Sequence, residues 1–312
     1  MSKLSTYRAN GKLLLTGEYL VLHGAKAIAL PLKVGQCLTV SEGNSSDSLI
    51  WIALYNRQVW FSCELNPTDF SIINTSHPEK AEILSLIFKS IRNLNPDFRV
   101  KAGTKFETVL ESNPEWGFGS SSTLISLLSQ WSGVDPFILN ERIFKGSGFD
   151  IACAIADGPI FYVRNKSVAP ILLDYPFADQ LFLVYSGQKK KTANEVNKFL
   201  KEKQVSVQLV DEISNLSNEF AGCRDQKEFN RLIILHEKLV GALIGKTPVK
   251  SEYFPDFDGE IKSLGAWGGD FYLISTKLPF SETKIYFENK GLTTIFRWND
   301  LILKPHQPWL EQ

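Results

Sequence analysis

The sequence holds little that would tie it to metals, membranes or nucleic acid. Four cysteines and four histidines occur in 312 residues. Cys37, Cys63, Cys153 and Cys223 are widely spaced, with no CxxC pair and no paired histidine spacing, which argues against a zinc site or a disulfide framework. Two or more of them sit in apolar surroundings, which suits reduced, packed thiols. Charge of one sign is missing too. Lys plus Arg number 34, as do Asp plus Glu, so no global field draws the chain to nucleic acid or an anionic membrane. Any anionic ligand must be held by local groups. Long apolar runs are absent: Ile28 to Leu32 and Leu181 to Tyr185 are far too short to span a bilayer. Met1 to Gly11 is polar and lacks the apolar stretch of a secretion signal. The expectation is a soluble, cytoplasmic protein with neither nucleic-acid nor membrane partners.

What is present is ample core material, 44% hydrophobic residues, enough for one large domain or two medium ones. Lys12 to Thr16 and Gly24 to Leu32 read as compact apolar runs, the second broken by Pro31. Leu49 to Leu54 and Val59 to Leu65 read as a hairpin across Tyr55 to Gln58. In Pro78 to Leu94 the period changes, with Ile83, Leu84, Leu86, Ile87 and Ile91 at helical spacing. Phe98 to Leu110 returns to extended character. Helices are expected over Thr123 to Trp131, Pro136 to Lys145 and Ile151 to Ala156. Strands are expected at Ile160 to Arg164 and Gln180 to Ser186, followed by an amphipathic helical region from Thr192 to Gly245. Ile261 to Leu303 mixes strands, glycines and one helix near Ser281 to Lys290. This order is α+β rather than regular βαβ alternation, and a boundary falls in the polar, Pro-containing stretch Val163 to Pro176.

Four segments could carry chemistry. In Pro114-Glu115-Trp116-Gly117-Phe118-Gly119-Ser120-Ser121-Ser122-Thr123, two glycines let the backbone approach a ligand and adopt positive φ. Consecutive N–H groups at a helix start bind phosphate, and the serines add hydroxyls for phosphate oxygens or Mg²⁺. Read alone, the segment is equally a Gly-Ser loop with a serine N-cap. It is not a Walker A loop, a Rossmann fingerprint or a nucleophile elbow. Gly146-Ser147-Gly148-Phe149-Asp150 presents a carboxylate on a glycine turn. It could accept a proton from a substrate hydroxyl or simply N-cap the following helix. Lys12 opens an apolar strand, either as a functional cation that lowers a neighbouring carboxylate's pKa or as a solvated strand end. Gly265-Ala266-Trp267-Gly268-Gly269-Asp270 is a second glycine turn.

In that order the four segments resemble the GHMP kinases, the family of galactokinase and of homoserine, mevalonate and phosphomevalonate kinases. Gly11-Lys12 through Gly17-Glu18-Tyr19 to Gly24 is similar to the family's first motif. Pro114 to Ser122 is similar to its phosphate loop, Gly146 to Asp150 to its acidic turn and Lys262 to Asp270 to its glycine-rich third motif. The resemblance spans about Ala9 to Ser275. It departs from the family pattern at Asn10, at Ser122-Thr123 and at Trp267, where the family has glycine.

The resemblance implies a two-domain fold: an N-terminal ATP-binding half like ribosomal protein S5 domain 2 (residues 1–165) and a C-terminal ferredoxin-like half (166–312). It implies ATP and Mg²⁺ as cofactors, with Asp150 as the catalytic carboxylate and Lys12 as its partner. Pro114, Gly117, Phe118, Gly119, Ser120, Ser121 and Ser122 would bind ATP, and Ser121 and Glu141 would hold Mg²⁺. Glu18, Tyr19, Gly265 and Ala266 would face substrate. So would Lys189, Lys191 and Thr192, in a basic segment suited to a phosphorylated or carboxylated substrate, or to a solvated loop. The substrate implied is a small mevalonate-type acid, 5-phosphomevalonate or mevalonate, used by a monomer or homodimer. Gly17-Glu18-Tyr19 and Gly268-Gly269-Asp270 look phosphomevalonate-kinase-like, whereas Val21-Leu22-His23-Gly24 looks more like mevalonate kinase. A mevalonate-diphosphate-type decarboxylase, a sugar or homoserine kinase and a non-catalytic nucleotide binder are the alternative readings.

Overall fold

The computed structural model describes residues 4–43, 46–188, 205–265, 267 and 269–305. It divides into two compact units. The first comprises the chain up to Gly11 with Val34–Pro114 and Phe118–Ile155, and the second comprises Lys12–Lys33, Glu115–Gly117 and the chain from Ala156 onward.

In the first unit, β3 (Leu49–Tyr55) and β4 (Gln58–Leu65) form the expected hairpin, with Asn56 and Arg57 at positive φ in its turn. β5 (Ile72–Thr75) pairs with β4, and β6 (Lys105–Leu110) runs parallel to β3. The second half of β2 (Ala27–Ser41) pairs antiparallel with β6 over Gln36–Ser41. β1 (Leu4–Leu14) pairs with β2. Alternating burial along β3 and β4 sends Trp51, Ala53, Phe61 and Cys63 to one side. There they meet α1 (Pro78–Leu94), whose Leu84, Ile87, Phe88 and Ile91 are buried. The aromatic centre is tight: Trp51 stacks on Phe106 at 5.6 Å, and Trp131 meets Phe106 edge-on at 4.9 Å. Such geometries add about 0.5–1.5 kcal/mol per pair beyond area burial.

Trp131 comes from α2 (Ser120–Ser132), which is followed by α3 (Pro136–Ile143) and α4 (Phe149–Ala154). Asp135 caps α3 by accepting from the amides of Phe137 and Ile138. The Thr123 hydroxyl donates to Gln36 Oε1 at 2.7 Å, fastening the start of α2 to β2.

Gly35 sets how closely β1 can approach β2. A Cβ at this position would overlap the Ala9 carbonyl oxygen, with backbone rather than a flexible side chain in the way. Gly35→Ala is therefore expected to cost about 3 kcal/mol of folding stability, the upper end for overpacking. A shift of that size in the denaturant midpoint checks it, and an unchanged midpoint contradicts it.

In the second unit, β10 (Glu260–Leu264), β11 (Phe271–Ser275), β9 (Leu181–Tyr185) and β12 (Ile295–Arg297) form an antiparallel sheet in that order. Every residue of β11 is buried. Among the described residues its α-helices are α5 (Val207–Gly222), α6 (Gln226–Ile244), α7 (Val249–Tyr253), α8 (Phe280–Asn289) and α9 (Trp298–Leu301). Ser206 caps α5 and Asp225 caps α6. The first residues of β2 pair with β7 (Ile160–Val163), which forms a hairpin with β8 (Ser167–Pro170). The boundary expected at residue 165 falls in that hairpin's turn. Pro31 does not break β2. It lies between the stretch paired to β7 and the stretch paired to β6, and its carbonyl accepts from Leu303. A missing amide donor costs nothing at that point.

Candidate functional site

The Pro114 to Thr123 segment folds as the glycines require. A 3-10 turn over Pro114–Trp116 leads into Gly117 at φ 69° and Gly119 at φ 87°, both left-handed. Gly119 is the N-cap of α2 and supplies no side chain to cap it. The first intrahelical bond is from the Thr123 amide to the Gly119 carbonyl, so the amides of Ser120, Ser121 and Ser122 precede the helical ladder. Ser122 and Thr123 turn their hydroxyls back onto the Gly119 and Ser120 carbonyls, at 2.8 and 3.0 Å. Ser121 is exposed, and Phe118 is buried as an anchor. An uncapped helix start behind two left-handed glycines fits an anionic phosphate.

Asp150 lies in the first turn of α4, behind Gly148 at φ 90°. Gly148, not Asp150, is the N-cap, so the capping role open to Asp150 in the sequence is not the one it takes. It is half-buried, while Ile151 to Ala154 beyond it are buried. Glu141 is exposed on α3. Among the described residues no three His, Cys, Asp or Glu side chains gather as a metal cage. Magnesium commonly takes only one or two protein oxygens alongside substrate phosphates and water, so the Ser121 hydroxyl and Glu141 carboxylate are suitable donor types. Lys12, in the second unit, is half-buried on β1.

Glu18 and Tyr19 are both buried, at 4% and 7% exposure. Tyr19 takes φ 63°, and its hydroxyl accepts from the Trp267 amide at 3.1 Å. The Glu18 Oε1 meets Lys262 Nζ at 2.5 Å, and Lys262 also donates to the Ser263 carbonyl. His236 Nε2 stands 3.2 Å from Glu18 Oε2 and accepts from the Gly17 amide at 3.3 Å. Glu237 accepts from the Ser263 amide. The result is a buried cluster in the second unit: one lysine, two carboxylates and an imidazole.

Sequence reading did not find this cluster. The signal was available in α6, where His236 and Glu237 occupy the apolar face with Phe229, Leu232, Ile233 and Val240.

One cation faces two carboxylates in this cluster, and burial raises both. It outweighs the opposing pull of Lys262 on Glu18, and it lifts Glu237 to about 8. Burial, aided by Lys262, keeps His236 well below the usual imidazole range and neutral. For Glu237 the folded value exceeds the unfolded one of 4.5. Its contribution is therefore fully present below pH 4.5 and is lost as pH rises through 8. His236 has the opposite sign, with stability lost as pH falls below 6.5. The Glu237 and His236 slopes offset between 4.5 and 6.5; above that Glu237 continues to lose stability, and Glu18, raised by burial in the same direction, adds to the loss. Unfolding free energy is expected to fall by about 2 kcal/mol between pH 6.5 and 8. Glu237→Gln should flatten that slope, and a wild-type protein whose stability is constant over this range would contradict it.

Gly265 takes φ 80° beside Asp270, and Trp267 is buried with its indole against Gly241 of α6. Trp267 is thus part of the second unit's packing. Ala266, Lys189, Lys191 and Thr192 lie outside the described residues.

No family model matches the sequence, and no curated protein matches it. Solved structures do. The chain superposes on a Methanococcus jannaschii mevalonate kinase with a TM-score of 0.72 at 19% identity, covering 97% of this chain and 99% of that one. An L. major mevalonate kinase in complex with R-mevalonate gives 0.68 at 18% identity, with 97% of each chain covered. A Streptococcus pneumoniae phosphomevalonate kinase in complex with phosphomevalonate and AMPPNP gives 0.68 at 17% identity, covering 94% of this chain and 99% of that one. With its α+β architecture matched over nearly its whole length, the chain has the GHMP kinase fold.

Proposed function

We propose that the protein is an ATP-dependent small-molecule kinase of the GHMP family, moving the γ-phosphoryl group of Mg-ATP to a hydroxyl of a mevalonate-type acid, 5-phosphomevalonate or mevalonate. The observation that carries this reading is the start of α2. Two left-handed glycines lead to an uncapped helix N-terminus in a fold shared with structures whose ligands are AMPPNP, phosphomevalonate and R-mevalonate.

The bound nucleotide supplies an activated phosphoryl group, and positioning and electrostatics supply most of the rate. The amides of Ser120 to Ser122 hold the phosphates. Ser121 and Glu141 offer oxygens to Mg²⁺. Asp150 accepts the proton that leaves the substrate hydroxyl, and Lys12 supplies positive charge for the developing alkoxide. The buried Glu18 cluster holds the Gly17–Tyr19 turn to the segment ending at Trp267.

Calorimetric titration with AMPPNP and Mg²⁺ tests the nucleotide half of this reading. Micromolar affinity is expected, weakened at least tenfold by Gly119→Val, which puts a β-branched residue at φ 87°. No heat of binding at millimolar nucleotide would count against it.

A further inference from the structure

The Glu115–Gly117 turn belongs to the second unit, and three contacts among the described residues bear on it. The Tyr185 hydroxyl, at the end of β9, donates to the Glu115 carbonyl at 3.1 Å. Burial, with the Glu115 and Asp270 carboxylates nearby, pushes the Tyr185 phenol up and keeps it a donor. The Trp116 ring meets Phe296 of β12 edge to face at 5.2 Å. The third contact is the Asp270 side chain. A Cβ on Gly117 would stand 2.7 Å from its carboxylate carbon and Oδ1 and 2.8 Å from Oδ2. A Cβ on Gly265 would stand 2.9 Å from the same Oδ2.

The carboxylate is therefore packed against two left-handed glycines, and neither position has room for a side chain while the carboxylate stays where it is. It is 5% exposed. Its own backbone is pinned, with the amide donating to the Gln188 carbonyl at 3.1 Å and the carbonyl accepting from the Ser186 amide at 2.9 Å. Asp270 takes φ 52°, a conformation that aspartate tolerates better than most residues.

Left-handed glycine turns make concavities suited to anions. At Gly265 that concavity is filled by the chain's own carboxylate. We propose that Asp270 is a positioning residue whose buried carboxylate seats the Gly117 turn, and so fixes how the chain enters the phosphate-binding start of α2. The seating stands on geometry alone, and its effect on nucleotide rests on the kinase reading above.

Hydrogen exchange on the ligand-free full chain, followed over residues 115–122, tests the seating. Asp270→Ala is expected to speed exchange in this segment at least tenfold while α6 stays protected, with Asp270→Asn in between. Rates within twofold of wild type would overturn the proposal. Should Asp270→Ala fail to fold, Gly117→Ala approaches the same contact from the turn. It should speed exchange likewise, and rates within twofold of wild type in that variant would overturn the proposal. AMPPNP affinity, measured by calorimetry, should weaken at least tenfold in Asp270→Ala. Faster exchange with unchanged affinity would overturn the link to the phosphate loop. Faster exchange in a wild-type background that binds no AMPPNP would support the seating and sink the kinase reading instead.

Discussion

Replacing Asp150 by alanine is expected to lower kcat by about 10²–10⁴-fold, the usual contribution of a positioned general base, with a much smaller change in KM and with the fold retained. The asymmetry follows from where the residue sits. Asp150 is half-buried in the first turn of α4, and the packing of that helix is carried by Ile151, Ala152, Cys153 and Ala154. Helix initiation is carried by Gly148. Removing the carboxylate leaves both intact. Asp150→Asn keeps the shape and removes the basicity, so it should be nearly as inactive as the alanine variant. If Asp150→Asn keeps more than about a tenth of the wild-type kcat, proton acceptance is not its role.

The largest expected effect on stability lies in the second unit. Lys262→Met is expected to cost about 3–5 kcal/mol, the range for breaking a buried ion pair by removing one partner. Lys262 is fully buried, and its ammonium is the cation bonded to Glu18. Without it, Glu18 must take up a proton or remain as an uncompensated charge in a buried site. Among the described residues, Glu18 Oε2, His236 Nδ1 and Glu237 Oε2 already have no hydrogen-bond partner, leaving the cluster little means to compensate. Adding Glu18→Gln to Lys262→Met should restore part of the loss, because the orphaned charge goes with it. Denaturant unfolding of the three variants measures that coupling. A cost below about 1 kcal/mol for Lys262→Met would mean that the pair does not matter to folding.

Much of the fold was legible in the sequence where local pattern and packing agree. The helix expected over Pro78 to Leu94 is α1, with Leu84, Ile87 and Ile91 of the named period buried and Ile83 and Leu86 exposed, and the β3–β4 hairpin lies where the two apolar runs placed it. What was not legible depends on distant partners. β1 begins at Leu4, in a polar stretch, because backbone pairing with β2 rather than side-chain burial makes it a strand. Pro31 looked like a break and is not one, since β2 changes partners around it. The amphipathic region after Thr192 contains two described helices, α5 and α6, separated by a stop at Cys223 and a new cap at Asp225.

The candidate site divides in the same way. The left-handed φ of Gly117, Gly119 and Gly148 is a local property that glycine announces. The burial of Glu18 beside Lys262, 244 residues away, is not local. The resemblance implies that Glu18 faces substrate, and nothing in its local sequence announces the buried lysine. Asp270 likewise gives no hint in sequence that it lies against Gly117. A buried polar group declares itself only when the fold brings its partner to it.

The most direct test of the central reading is ADP formation by the full chain with Mg-ATP, assayed against mevalonate, 5-phosphomevalonate, homoserine and galactose, with Asp150→Ala as the blank. The expected result is ADP and a stable phosphoester with one of the two mevalonate-type acids and no turnover in the variant. ADP formation that is indifferent to every acceptor, or that survives in Asp150→Ala, would contradict it.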